Sequence, residues 1–90
     1  MAILAEDFVY VVGVDTHAQT HTAAVVDRTG AVRAEFSDTT DPAGLERLVE
    51  AARRAASGAR LWAVEQTGSD GAGLTALLGA LGETVVEIDR

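Results

Sequence analysis

Residues 13–27 read GVDTHAQTHTAAVVD, and residues 62–68 read WAVEQTG. In each stretch an apolar run ends on an acid: Asp15 after Val11, Val12 and Val14, and Glu65 after Leu61–Val64. Buried parallel strands read as near-continuous apolar runs. Open α/β sheets gather ligands at the carboxyl ends of their strands, so acids placed there can converge on one site. Two carboxylates at short range, roughly 4–6 Å apart, are a usual way to hold a divalent cation for phosphoryl chemistry.

The remaining elements follow outward from these two runs. Phe8–Val14 is expected as a central strand, rich in β-branched and aromatic residues. Thr16–Thr20 is a polar turn. His21–Asp27 and Ala31–Asp38 are a second and third strand, joined at Arg28-Thr29-Gly30. Asp41 then Pro42 marks a helix start, with Asp41 as the capping side chain. Leu45, Leu48, Val49 and Ala52 share one helical face. Glu46 near the start of that helix and Arg53 and Arg54 near its end suit the dipole. Leu61–Glu65 is a fourth strand, and Ser69 caps a second helix with an apolar stripe at Leu74, Leu77, Leu78 and Leu81. Gly82 ends that helix, and Thr84–Ile88 is a fifth strand. The order β-β-β-α-β-α-β predicts an α/β domain with a mixed sheet, and matches the ribonuclease-H-like superfold by analogy.

Ninety residues make one domain with a modest core. The absence of cysteine excludes disulfides, Cys-ligated zinc, iron–sulfur clusters and thiol catalysis. It agrees with a cytoplasmic location. The N-terminal stretch lacks the basic and long apolar regions of a signal peptide, and no run reaches the ~18 apolar residues of a membrane helix. All seven basic residues are arginine and the net charge is −7. That charge weakens any grip on a phosphate backbone, since non-specific nucleic-acid affinity comes mainly from cations.

Asp15 and Glu65 are the candidate catalytic and metal-binding residues. The plain alternative for Asp15 is a turn-initiating aspartate, and for Glu65 a solvent-facing strand end. A second acid at a like position favours the functional reading through convergence on one site. His17, two residues past Asp15, is placed to touch a substrate phosphate or orient the carboxylate. Thr16, and Thr67 and Ser69 in the loop before the second helix, are candidate substrate contacts, since such a loop can hold an anion through backbone N–H groups. His17 and His21 otherwise read as exposed turn histidines. Asp27 fits the hairpin turn, and Asp70 a helix-start charge.

GVDTHAQTHTAAVVD, RTGAV, WAVEQTGSDGAGL and VVEIDR together resemble the N-terminal half of DEDD-type insertion-sequence transposases, from about Val11 to Arg90. The resemblance implies a RuvC-like, ribonuclease-H-fold domain of an RNA-guided DNA recombinase. It puts the first two of four metal-binding acids on Asp15 and Glu65. The other two lie, in the family, on a helix after the fifth strand. Residues 1–90 are thus expected to be a partial RuvC-like domain lacking that final helix. Such a piece would bind Mg²⁺ or Mn²⁺ weakly and be inactive alone. DNA and a guide RNA are the implied partners of the full-length protein, with self-association open and no membrane. Ala18 stands where the family commonly has lysine, which removes a cation beside the site.

Two other classes compete. An actin-like or sugar-kinase-like nucleotide-binding half-domain also begins with a strand, an Asp and a Thr-rich turn, but His17-Ala18-Gln19 lacks the glycine that lets phosphates approach the backbone. A non-catalytic interaction module is the third reading, resting on apolar sheet surface left uncovered.

Overall fold

A computed structural model describes residues 8–66 and 70–89, excluding the side chains of Gln66 and Asp89. In chain order the elements are β1 (Tyr10–Thr16), β2 (Thr20–Asp27), β3 (Val32–Thr39), α1 (Pro42–Ala55), β4 (Arg60–Gln66), α2 (Ala72–Ala80) and β5 (Thr84–Asp89). They form one five-stranded mixed sheet in the order β3-β2-β1-β4-β5. β1 is central, antiparallel to β2 on one side and parallel to β4 on the other, as the sequence led us to expect. β1 runs past its expected end to Thr16, so Asp15 lies inside the strand rather than after it, and β4 runs one residue beyond Glu65, to Gln66.

Alternation sorts the two faces of the sheet. Val12, Val14, Ala23, Val25, Trp62 and Val64 point to one side and meet Leu45, Leu48, Val49, Ala52, Leu74 and Leu78 of the two helices in a single core. The domain therefore has two layers, with both helices packed on the same face. The predicted apolar stripe of α2 is only half used. Leu74 and Leu78 are buried, Leu77 is partly so, and Leu81 is 43% exposed. No helix among the described residues is long and apolar enough to cross a membrane.

The turns show which polar residues are structural. Asp27 caps the β2–β3 hairpin: its Oδ1 accepts the Thr29 N–H at 2.9 Å, the Thr29 hydroxyl at 2.6 Å and the Ala31 N–H at 3.1 Å. The Thr29 hydroxyl, above all, holds the Asp27 carboxyl below its ordinary range. Asp41 departs from expectation. It occupies the N-cap position of α1 but makes no side-chain cap, and its carboxylate takes the Thr39 hydroxyl instead. Glu46 also falls beyond the first turn of α1, which holds no acid, whereas Arg53 and Arg54 do lie in the last. The expected capping residue of α2, Ser69, lies outside the described residues, and the helix begins after Gly71.

α2 ends as the glycine predicts. Gly82 has φ +75°, the Gly82 N–H donates to the Gly79 carbonyl, and the Glu83 N–H donates to the Leu78 carbonyl. This paired closure requires a left-handed residue. Gly82→Ala is expected to lower unfolding free energy by about 1 kcal/mol, because an L side chain is disfavoured at that φ. Urea unfolding followed through the fluorescence of the sole tryptophan measures it.

Candidate metal and phosphoryl-transfer site

The acid pair is assembled by strand register. β1 and β4 are paired in parallel through Val14 and Val64, and Asp15 and Glu65 are the next residue of each. Val14 and Val64 point into the core, so Asp15 and Glu65 both point to the helix-free face. Neighbouring strands lie about 4.8 Å apart, so the two acids project side by side from adjacent strands. Asp15 also pairs with Thr22 of β2, Thr22 with Ser37 of β3, and Glu65 with Ile88 of β5. A polar row, Ser37–Thr22–Asp15–Glu65, thus crosses four adjacent strands. The Thr22 and Ser37 hydroxyls are hydrogen-bonded at 2.9 Å. Ser37 escapes a sequence reading because only the β2–β3 register brings it into line.

Beside this row is a concavity of about 330 Å³. Gly13, Ala24 and Ala63 give it a floor with little side-chain bulk, and Asp15, Glu65, Thr22 and Glu35 stand around it. A larger groove of about 430 Å³ lies between α1 and the end of α2, over Val49, Leu77 and Leu81. Its rim carries Glu46, Glu50, Arg53 and Arg54. The Glu50–Arg54 pair there, 2.6 Å apart one helical turn along, is an ordinary solvated ion pair. The two candidate acids line the smaller concavity and not this groove.

His17 stands where expected, in the β1–β2 turn, 58% exposed, with Nε2 3.3 Å from Asp15 Oδ2. Two hydrogen bonds hold that turn. The His17 N–H donates to the Thr20 carbonyl at 3.1 Å, and the Thr40 hydroxyl reaches across from the β3–α1 corner to the Ala18 carbonyl at 2.9 Å. That corner is itself fixed by a two-pronged Arg47–Asp38 pair at 2.8 and 2.9 Å. The hydrogen bonds from Arg47 hold the Asp38 carboxyl down at about 2.

Thr16 is buried on the core side, and its hydroxyl donates to the Glu65 carbonyl at 2.6 Å. His21 corrects the sequence reading. It is 1% exposed rather than a surface turn residue, because β2 begins at Thr20 and turns His21 toward the core face opposite Thr16. Its Nδ1 lies 3.2 Å from the Thr20 carbonyl. Thr67 and Ser69 lie outside the described residues.

The donor set fits a hard cation that keeps much of its water: two carboxylates, no sulfur, and hydroxyls nearby. Among the described residues no third acid or histidine joins the pair in a three-ligand group.

The sequence reading also missed Glu83. Its carboxylate, 7% exposed, takes Arg60 at 2.9 and 2.6 Å, the Trp62 indole N–H at 2.8 Å, and lies 3.4 Å from Arg53. This knot ties the end of α2 to the start of β4, at the opposite end of that strand from Glu65.

Residues 12–90 match the family model of the IS110-type DEDD transposases, described simply as transposase. No curated protein matches the chain.

Proposed function

The chain belongs to the IS110-type DEDD transposase family, and from that premise we propose that its sheet is a ribonuclease-H-like scaffold for cutting and joining DNA strands. In this reading residues 1–90 are part of a RuvC-like domain, and Asp15 and Glu65 are the first two acids of its catalytic set. The observation that carries the proposal is their adjacent placement, on one face of two parallel neighbouring strands. His17 orients Asp15 from a turn pinned at both ends. Thr67 and Ser69 are proposed to contact a substrate phosphate. Thr16, buried with its hydroxyl engaged, supports the pair rather than touching substrate.

Mg²⁺ or Mn²⁺ would be held by Asp15 and Glu65, and when bound would stabilise charge on the attacked phosphate. Two carboxylates suffice for one weakly held ion that keeps several waters. Strand transfer by two ions needs more ligands than this pair supplies, so the ninety residues by themselves are proposed to be inactive. Their charge of −7 repels DNA, and the grip on DNA, with any guide RNA, is assigned to other parts of the full-length protein.

Mn²⁺ titration of the ¹⁵N-labelled chain tests the acid pair, since the ion broadens nearby amide signals. Broadening centred on residues 15 and 65 is expected, with a Kd of about 1 mM or weaker, because an ion keeping its water shell gains little from two carboxylates. Asp15→Asn should abolish it and leave the rest of the spectrum unchanged. Broadening that ignores Asp15→Asn would remove the reading.

A further inference from the structure

The burial pattern of β1 asks for an aliphatic residue at position 16. Val12, Val14 and Thr16 share the core-facing side, and Thr16 is as thoroughly buried as the two valines. Valine would satisfy alternation and strand preference equally well. A buried hydroxyl is unfavourable unless it is hydrogen-bonded, and this one has a single acceptor shown, the carbonyl of Glu65.

That carbonyl lies just past the last regular rung of the β1–β4 pairing. The regular β1–β4 pairing extends through Val14 and Val64. One step further stand the two acids, and one step beyond Asp15 the β1 strand ends. Strand ends fray most readily. The Thr16 hydroxyl closes the pairing beyond its last regular rung, and does so from the face opposite the carboxylates. It fixes the Glu65 backbone against β1 without entering the concavity.

We propose that Thr16 is a positioning residue that sets the spacing of the Asp15 and Glu65 carboxylates, and through it their capacity to share one divalent cation. The inference rests on the acid-pair reading above. Its chemistry is that of an outer group orienting a ligand, where loss commonly lowers metal affinity by an order of magnitude or more.

The experiment is the same Mn²⁺ titration on four variants. Thr16→Ser keeps the hydroxyl, Thr16→Val and Thr16→Ala remove it, and Asp15→Asn removes a ligand. Amide dispersion reports whether each is folded, and a failure of Thr16→Val to fold leaves Thr16→Ala to be read in its place. Thr16→Ser should bind Mn²⁺ within about two-fold of the parent, while the hydroxyl-less variants bind about ten-fold more weakly. Metal binding lost in Asp15→Asn but unchanged in folded Thr16→Val or Thr16→Ala would overturn this inference alone. Binding that is insensitive to Asp15→Asn would overturn the acid pair, and the role of Thr16 with it. Unfolding of both hydroxyl-less variants while Thr16→Ser binds normally would count against it as well, since the hydroxyl would then serve the fold as a whole.

Discussion

Glu83→Ala is expected to lower the unfolding free energy by about 3–5 kcal/mol, the range for removing one partner from a buried ion pair. The substitution leaves the buried Trp62 indole N–H without its acceptor and the Arg60 guanidinium without its counter-ion. A domain of this size is held by only about 5–13 kcal/mol, so the variant should be partly unfolded at room temperature. Arg53→Ala is the control. Its contact to Glu83 is longer and nearly half exposed, and about 0–1 kcal/mol is expected. Urea midpoints read by Trp62 fluorescence separate the two, and a Glu83→Ala loss below about 1 kcal/mol would show that the knot is not integral to the fold.

The same carboxylate gives a pH dependence. Burial pushes the Glu83 carboxyl up, but the hydrogen bonds from Arg60 and Trp62 and the nearby guanidinium charges outweigh it, leaving it below the ordinary 4.5. A carboxyl lowered in the folded state stabilises the protein fully above that ordinary value. The contribution fades as pH falls through the folded-state pKa. Acid unfolding should therefore begin below about pH 4.5 in the parent, and Glu83→Gln should flatten that part of the stability curve.

Gly44→Ala and Gly79→Ala should move stability in opposite directions, although both put alanine into a helix. Helix propensity alone favours alanine over glycine by about 1 kcal/mol. At Gly79 an added Cβ meets nothing within 4 Å, so a gain of about 0.5–1 kcal/mol is expected. At Gly44, which is buried, an added Cβ would collide with the backbone carbonyl and hydroxyl of Thr39. Thr39 cannot retreat easily. It closes β3, bonds to Asp38 and Asp41, and precedes the Thr40 that pins the β1–β2 turn. Overpacking against backbone costs about 1–3 kcal/mol or more, and a net loss of about 2 kcal/mol is expected from Gly44→Ala. Equal gains at both positions in thermal unfolding would mean that the β3–α1 corner yields freely.

The residues differ in how openly they declared their roles. The placement of Asp15 and Glu65 on two neighbouring parallel strands was legible because an acid in or next to an apolar run is costly and asks for a reason. α1 was legible from Pro42 and the spacing of Leu45, Leu48, Val49 and Ala52, which together specify both a start and a buried face. Thr16 was half legible: it lies two residues beyond Val14, so alternation alone assigns it to the core side, yet a polar residue after a strand invites a turn. His21 was misread as a turn residue although it shares the inward parity of Ala23 and Val25, two and four residues further along β2. Glu83 gave no local signal. Its partners come from α1 and β4, 21 to 30 residues earlier in the chain, and only the folded backbone brings them together. Asp41 shows the reverse case, a residue with a strong local signal whose side chain was claimed by Thr39 instead.

The parallel pairing of β1 with β4 also governs when the acid pair can exist. The hairpin between β2 and β3 closes over a few residues, whereas Val14 must find Val64 fifty residues later. Non-local pairings of this kind slow folding, because loop-closure entropy is lost before their contacts form. At ribosomal speeds of about 5–20 residues per second, β1 waits some seconds for its partner. Until then the two acids stand on strands that have not yet met. Assembly of the site is thus expected to coincide with the last cooperative step of folding, so refolding kinetics followed at Trp62, a residue of β4, should also time the birth of the acid pair.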